Sequence, residues 1–518
     1  MKYLFLLLGL GLCRPVHAAG LPCAPETAAA LEKAGANRPE LERVLEHFRS
    51  AADPRELQAA CFLVANMPGH EYIRFELRNS SGAAVPFDPL AYPDYPAMVK
   101  AWDEAEERAG EMEWKTLSRE PDISSMTAEG LIKNVELAFK AWREKPWAAG
   151  VPYEDFLEYV LPYRGTNEPL EDWRSYFLEK YKNLPSRMKD PGDPLEAAAL
   201  INDNIKKWFA FDARFYRHPQ DQGLAEMLRR RAGRCEDMTN LGIYALRANG
   251  IPAAGDYTPF WADTGNNHAW NAVVLPGGRS VPFMAALANP GVYKLSNRPA
   301  KVYRGTFSRQ AAAPAAFLNG AEPLPKWFRE ADFADVTAAY APAGDIELPM
   351  PAPPAGTSRT PYLAVFNSGK WEIIGWGSAA GGRAAFKSFA KGILYMPVYY
   401  SSGTVVPAGA PFIYAASGTV RALDAAGPPA AVTVVSTTRR TIEHTTDNIA
   451  KAYLDSGKMY ELYYWRGKGW VQAGSAAAAG APLTFAGVPG DALLWLKEKG
   501  SKGEERVFTY DGGAQVWW

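Results

Sequence analysis

Apolar positions in the first two hundred residues recur at helical spacing. Leu41, Val44, Leu45 and Phe48 form one stripe, with Asn37 ahead of it as a cap and Glu40 three residues later as in a capping box. Leu131, Val135, Ala138 and Trp142 form another. The Pro- and aromatic-rich stretch 82–96 between them reads as loop. Asp193-Pro194 is a helix start, a cap residue followed by Pro in the first turn, with Ile201, Ile205 and Trp208 on one face. A further helix is expected from Cys235, carrying Met238, Leu241 and Ala245 and ended by Asn249-Gly250. The period then changes to two: His268, Trp270, Ala272 and Val274 alternate with Asn271 and Val273, as in a strand.

After residue 300 the composition shifts. Ala, Pro and Gly dominate 311–357 around a first strand at Ile346-Glu347-Leu348, and the remainder is rich in strand patterns. It contains a repeat: Tyr362-Leu-Ala-Val-Phe-Asn-Ser-Gly-Lys-Trp371 matches Tyr460-Glu-Leu-Tyr-Tyr-Trp-Arg-Gly-Lys-Gly-Trp470. Each copy leads to a further strand, Gly392-Ile-Leu-Tyr395 and Ala492-Leu-Leu-Trp495.

The N-terminus has Lys2, an apolar run from Tyr3 to Leu12 and small residues around Ala18 and Ala19. It reads as a cleavable secretory signal too short for a permanent span, with lipid attachment at Cys13 disfavoured by the bulky Leu12. Secretion matters for the thiols. Without the signal, Cys23, Cys61 and Cys235 remain, an odd number that leaves at least one unpaired. Cys23 and Cys61 either bridge the first helices, or Cys61 is a small buried hydrophobe in its apolar run. The 56 basic and 57 acidic residues give a net charge of −1. No global field recruits nucleic acid or an anionic membrane. Sixteen Trp and 25 Tyr suit core packing, or uncharged partners such as peptides and glycans.

The chemistry concentrates in two segments. One is Arg231-Ala-Gly-Arg-Cys-Glu-Asp-Met238 with its continuation to Pro252, and the other is Gly265-Asn-Asn-His-Ala-Trp-Asn-Ala-Val273. A thiol at a helix N-terminus faces unpaired N–H groups and the positive end of the dipole, which favour thiolate. The same groups can hold the oxyanion formed when sulfur attacks a carbonyl. A His on a neighbouring strand can take the thiol proton and later give it to a leaving group. Glu236 and Asp237 suit a first helical turn, although a carboxylate close to the sulfur opposes ionisation. His47, His70, His218 and His444 have no partners at metal-ligand spacing, so neither a metal nor a cofactor is expected.

These segments resemble the transglutaminase-like (papain-like) superfamily. The resemblance is carried by Gly233-Arg234-Cys235, Leu246-Arg247-Ala-Asn-Gly250-Ile251-Pro252 and His268-Ala269-Trp270, and covers about residues 193–300. Leu161-Pro-Tyr-Arg-Gly-Thr-Asn-Glu-Pro-Leu-Glu-Asp-Trp-Arg174 and the segment Phe508–Trp518 look like parts of secreted Bacteroidetes-type members. The resemblance implies a papain-like transglutaminase core; with the helical pattern before it and the repeated strand patterns after it, the fold expected is α+β, a helical N-terminal region leading into that core and followed by two repeated small β domains. The expected divisions are a signal at 1–19, a helical region at 20–190, the core at 191–310, a linker with a first strand at 311–357, and β domains at 358–430 and 431–518.

It further implies Cys235 as nucleophile and His268 as base in acyl transfer on amides of a peptide, protein or glycopeptide. The family's usual Asp, some fifteen residues after the His, is missing from Val281-Pro-Phe-Met-Ala-Ala286. Asn289 is the expected substitute, with Asp256 and Asp263 as alternatives. Trp270, Arg164 and Arg174 are candidate substrate contacts, although an internal pair with Glu168 or Asp172 is the favoured use of the two arginines. A binding or scaffold protein that keeps the fold without the activity is the alternative function.

Overall fold

The computed structural model of the chain describes residues 23–438, 454–480, 482–501 and 505–518. The signal, Cys13 and His444 lie outside the described residues. The expected stripes fold as helices Arg38–Arg49 and Ala128–Glu144, which bury Leu41, Val44, Leu45, Phe48, Leu131, Val135 and Ala138 in one core with Pro54–Asn66. The capping box does not form. Asn37 instead donates to the carbonyls of Ile123 and Met126 at 3.2 and 2.9 Å, and Glu40 accepts the Ala128 N–H at 2.7 Å. Both polar groups therefore join the first helices to the start of Ala128–Glu144, a long-range use that local spacing cannot reveal.

The helical region also contains an antiparallel ribbon, Glu71–Asn79 against Met112–Pro121, on either side of helix Tyr95–Ala109. Charged residues Arg74, Glu76 and Arg78 alternate with Ile73, Phe75 and Leu77 along it, a period of two inside a helix-rich stretch. No described helix is long and apolar enough to cross a membrane.

Cys23 and Cys61 form a disulfide closing a separation of 38 residues. Cross-linking a loop of that size stabilises the region by about 4 kcal/mol, chiefly by restricting its unfolded chain. Urea unfolding with and without reductant is expected to show a loss of roughly that size for the helical region. Equal midpoints would contradict it.

Arg164 and Arg174, weighed as substrate contacts or as internal partners of Glu168 or Asp172, are both buried. Arg164 forms a buried ion pair with Asp122 and donates to the Glu168 carbonyl. Arg174 is 2% exposed and donates to the carbonyls of Val160, Leu161, Pro162 and Arg247 and to Asn134. It satisfies carbonyls after helix Tyr153–Tyr159 and near the end of Cys235–Ala248, groups that otherwise lack intrahelical partners. Both guanidinium groups are taken up by these internal partners.

In the core, helix Cys235–Ala248 packs on an antiparallel sheet ordered Arg279–Phe283, His268–Leu275, Ala253–Thr258, Tyr303–Gly305 and Phe333–Asp335. Gly242 permits the close approach: a Cβ there would lie 2.7 Å from the Asn271 amide, which donates to the Thr239 carbonyl at 2.7 Å. Asp193 caps helix Pro194–Ile205 by accepting the Leu195 N–H at 2.8 Å.

The C-terminal region is all strand among its described elements. An eight-stranded sheet runs from Ala343–Pro349 to Val420–Ala422, and a five-stranded sheet holds Met459–Arg466 and Ala514–Trp517. The sequence repeat corresponds to two hairpins, Tyr362–Asn367 with Lys370–Ala380 and Met459–Arg466 with Gly469–Ala477.

Candidate active site

The helix that Cys235 opens begins where Gly233 leaves no room for a side chain. A Cβ at Gly233 would fall 2.6 Å from the Asp237 Cβ and 2.8 Å from the Gln222 amide nitrogen. Asp237 uses that closeness, accepting the N–H of Arg234 and of Gln222, each at 2.9 Å. Burial raises its carboxyl to about 6. Arg234 in turn reaches Asp221 at 2.6 Å and the carbonyl of His218 at 2.8 Å. The first turn of the helix is thereby fastened to the loop before it, and Cys235 cannot fray away.

Cys235 is buried and is the free cysteine among the described residues. Its Sγ donates to Glu236 Oε2 at 3.1 Å. Glu236 is steadied by Arg234 at 3.3 Å and by the Asn267 amide at 3.4 Å. Burial pushes the thiol well above its ordinary value, and the Glu236 charge and hydrogen bond push the same way. The Ala269 backbone N–H acts in the opposite direction.

His268 opens its strand half-buried. Nε2 lies 2.7 Å from the Tyr293 hydroxyl, and the ring packs against Trp261 and Trp270, both at 5.8 Å. Burial lowers its pKa to about 4, so the imidazole is neutral above that pH. Tyr293 also feels the charge of Cys235, which together with burial raises its phenol. Half-exposed Tyr216 lies within electrostatic reach of both Cys235 and Glu236.

The residues expected to orient His268 are engaged elsewhere. Asn289 accepts from Asn202 at 2.9 Å and Lys206 at 2.7 Å, and donates to Asp203 at 2.9 Å. Asp256 is fully buried in a two-pronged pair with Arg304, both bonds 2.8 Å, and accepts the Tyr340 hydroxyl. Asp263 accepts the Arg298 N–H at 3.0 Å. Trp270 is fully buried, stacked near-parallel to Trp261 and edge-on to Tyr340, so it supports the imidazole from beneath and cannot touch substrate. Tyr293 stands outside every expectation drawn from the sequence. Its signal, a phenol twenty-five residues beyond the His, is visible only if hydroxyls are counted among orienting groups.

The Glu236 contact gives a direct expectation. Glu236→Gln removes the charge that opposes thiolate, so the iodoacetamide rate of Cys235 rises several-fold and its pH profile moves to lower pH. A rate equal to the parent's across the profile would show that the carboxylate does not restrain the thiol.

Residues 182–285 match the family model for the transglutaminase-like superfamily. The segment bearing Cys235 and His268 is a transglutaminase-like domain. No curated protein matches the chain. Among solved structures, a candidate cysteine protease from Cytophaga hutchinsonii is similar at 22% identity over 23% of this chain, with a TM-score of 0.17. The chain spans 44% of that protein's length. Red sea bream transglutaminase is similar at 8% identity over 87% of this chain and 77% of that one, with a TM-score of 0.20.

Proposed function

We propose that the protein is a secreted thiol-dependent acyl-transfer enzyme that acts on amide bonds of peptides, proteins or glycopeptides through Cys235 and His268. The observation that carries this reading is a free thiol at the start of a helix that packs against the strand His268 begins. Tyr293 replaces the missing third residue. When its oxygen accepts the Nε2–H of His268, Nδ1 keeps the lone pair that takes the thiol proton.

The thiolate attacks the amide carbonyl carbon, and first-turn N–H groups of Cys235–Ala248 receive the oxyanion. As the C–N bond breaks, the imidazolium gives its proton to the departing amine and a thioester remains on Cys235. Water or a second amine, deprotonated by the imidazole, then attacks the thioester and releases the thiol. Water makes the enzyme a peptidase or amidase; an amine makes it a transglutaminase. The catalytic unit in this reading is 191–310, followed by the β domains at 358–430 and 431–518. The signal-like start of the sequence and the Cys23–Cys61 disulfide support an extracytoplasmic setting.

The contact of the thiol with Glu236 favours the second reading, a binding or scaffold protein on the same fold. Incubation with casein and a fluorescent primary amine separates the possibilities. New peptide fragments or amine incorporation, abolished by prior iodoacetamide treatment, are expected; activity that survives alkylation of Cys235 would refute the thiol mechanism, and a chain inert over a range of amide substrates would favour the scaffold.

A further inference from the structure

The loop that leads into His268 is held by side chains from both C-terminal sheets. Asn367 closes the hairpin Tyr362–Asn367 with Lys370–Ala380, opposite Lys370. Its Nδ2 lies 3.0 Å from the Trp261 carbonyl and 2.9 Å from those of Thr264 and Asn266, while its Oδ1 accepts the Asn266 N–H at 3.1 Å. Arg506, from the other sheet region, donates to the Ala262 carbonyl at 2.7 Å and the Thr264 carbonyl at 3.4 Å. It also reaches the carbonyls of Phe366 and Trp518, at 2.6 and 2.5 Å. Gly265 fits so closely beneath the hairpin that a Cβ would stand 2.8 Å from Ser368 Oγ.

The hairpin itself does not require Asn367. In the second hairpin the closing position opposite Gly469 is Arg466, which is exposed, whereas Asn367 is 2% exposed. The buried amide therefore serves the loop. The loop in turn presents Trp261, whose ring stacks on His268 at 29°.

We infer that Asn367, backed by Arg506, is a positioning residue for His268: the C-terminal sheets fix the 261–266 loop and, through Trp261, hold the imidazole in register with Cys235. This rests on the reading of Cys235 and His268 as a working pair. It makes the β region a structural part of the active site. Small displacements of catalytic groups have large effects, about a hundredfold for 1 Å.

The test uses the full chain and four variants: Asn367→Ala, Gly265→Ala, Gly265→Ala with Ser368→Ala, and His268→Ala. Iodoacetamide alkylation of Cys235 is followed across pH, His268 is titrated by imidazole nitrogen NMR, and thermal unfolding is recorded. His268→Ala is expected to alter the alkylation profile. Asn367→Ala should reproduce that alteration, with a loss of roughly tenfold near neutral pH, and should move the His268 titration upward toward the ordinary range as the ring loses its packing. Its unfolding temperature should fall by a few degrees, because buried backbone groups of the loop lose their partner, while the chain stays folded at the assay temperature. Should Asn367→Ala fail to fold, the other pair decides: Gly265→Ala slows alkylation and the added Ser368→Ala, which removes the clashing hydroxyl, restores it. Asn367→Ala and Gly265→Ala chains that alkylate and titrate like the parent, while His268→Ala differs, would overturn the positioning role alone. A His268→Ala chain alkylated like the parent would instead overturn the catalytic pair, and the positioning role with it.

Discussion

Replacing Cys235 by Ala is expected to abolish the proposed amide cleavage or transfer and to leave stability within about 1.5 kcal/mol of the parent. The small stability change follows from what the sulfur touches. It is one heavy atom, and its hydrogen-bond partner Glu236 keeps Arg234 and Asn267 when the thiol is gone. Asp237 still fastens the helix start through the Arg234 N–H. The total loss of activity follows because the other described cysteines, Cys23 and Cys61, are joined in a disulfide. His268→Ala should cost nearly as much, since nucleophile and base act as a unit and their losses do not add. Turnover assays and urea unfolding on the same preparations check both halves. A Cys235→Ala chain with full activity would end the thiol mechanism; one that lost several kcal/mol would make the residue structural.

Asp256→Ala is expected to destabilise the protein by about 3–5 kcal/mol. The carboxylate is fully buried, and its removal strands the Arg304 guanidinium, whose side chain is 4% exposed, with Ser280 as its remaining hydrogen-bond partner. The Tyr340 hydroxyl loses its acceptor in the same step. The ion pair need not stabilise the fold relative to apolar residues; what costs free energy is leaving one charge without the other. Equilibrium unfolding in denaturant measures the loss. A variant as stable as the parent but inactive would return Asp256 to the catalytic candidates.

The helices and the nucleophile's setting are legible in the sequence because their signals are local. Asp193-Pro194 caps a helix as its spacing requires, and the helix from Cys235 starts and ends where Gly233 and Gly250 indicate. Partners distant in sequence are not legible. For Arg164 and Arg174 the sequence offers only the nearby Glu168 and Asp172 as internal partners, whereas the fold brings Asp122 and the helix-end carbonyls beside them. Asn289 has the right chemistry for orienting an imidazole, but Lys206 and Asp203 on the neighbouring turn claim it. Tyr293 escapes a reading in which only a carboxylate or an amide orients the histidine, because a lone phenol carries no spacing signal of its own. The capping box fails for the same reason as the arginines: Glu40 gains more from an unsatisfied N–H on another helix than from its own.

The clamp on the histidine loop also sets an order of assembly. The Asn266 contact to Asn367 spans 101 residues, and that of Thr264 to Arg506 spans 242. During vectorial synthesis at about 5–20 residues per second, the thiol and imidazole precede their last support by roughly ten to fifty seconds. Throughout that interval the newborn chain carries Cys235 and His268 without the contacts that fix the loop between them, so under the proposed reading competence arrives as a late event in folding.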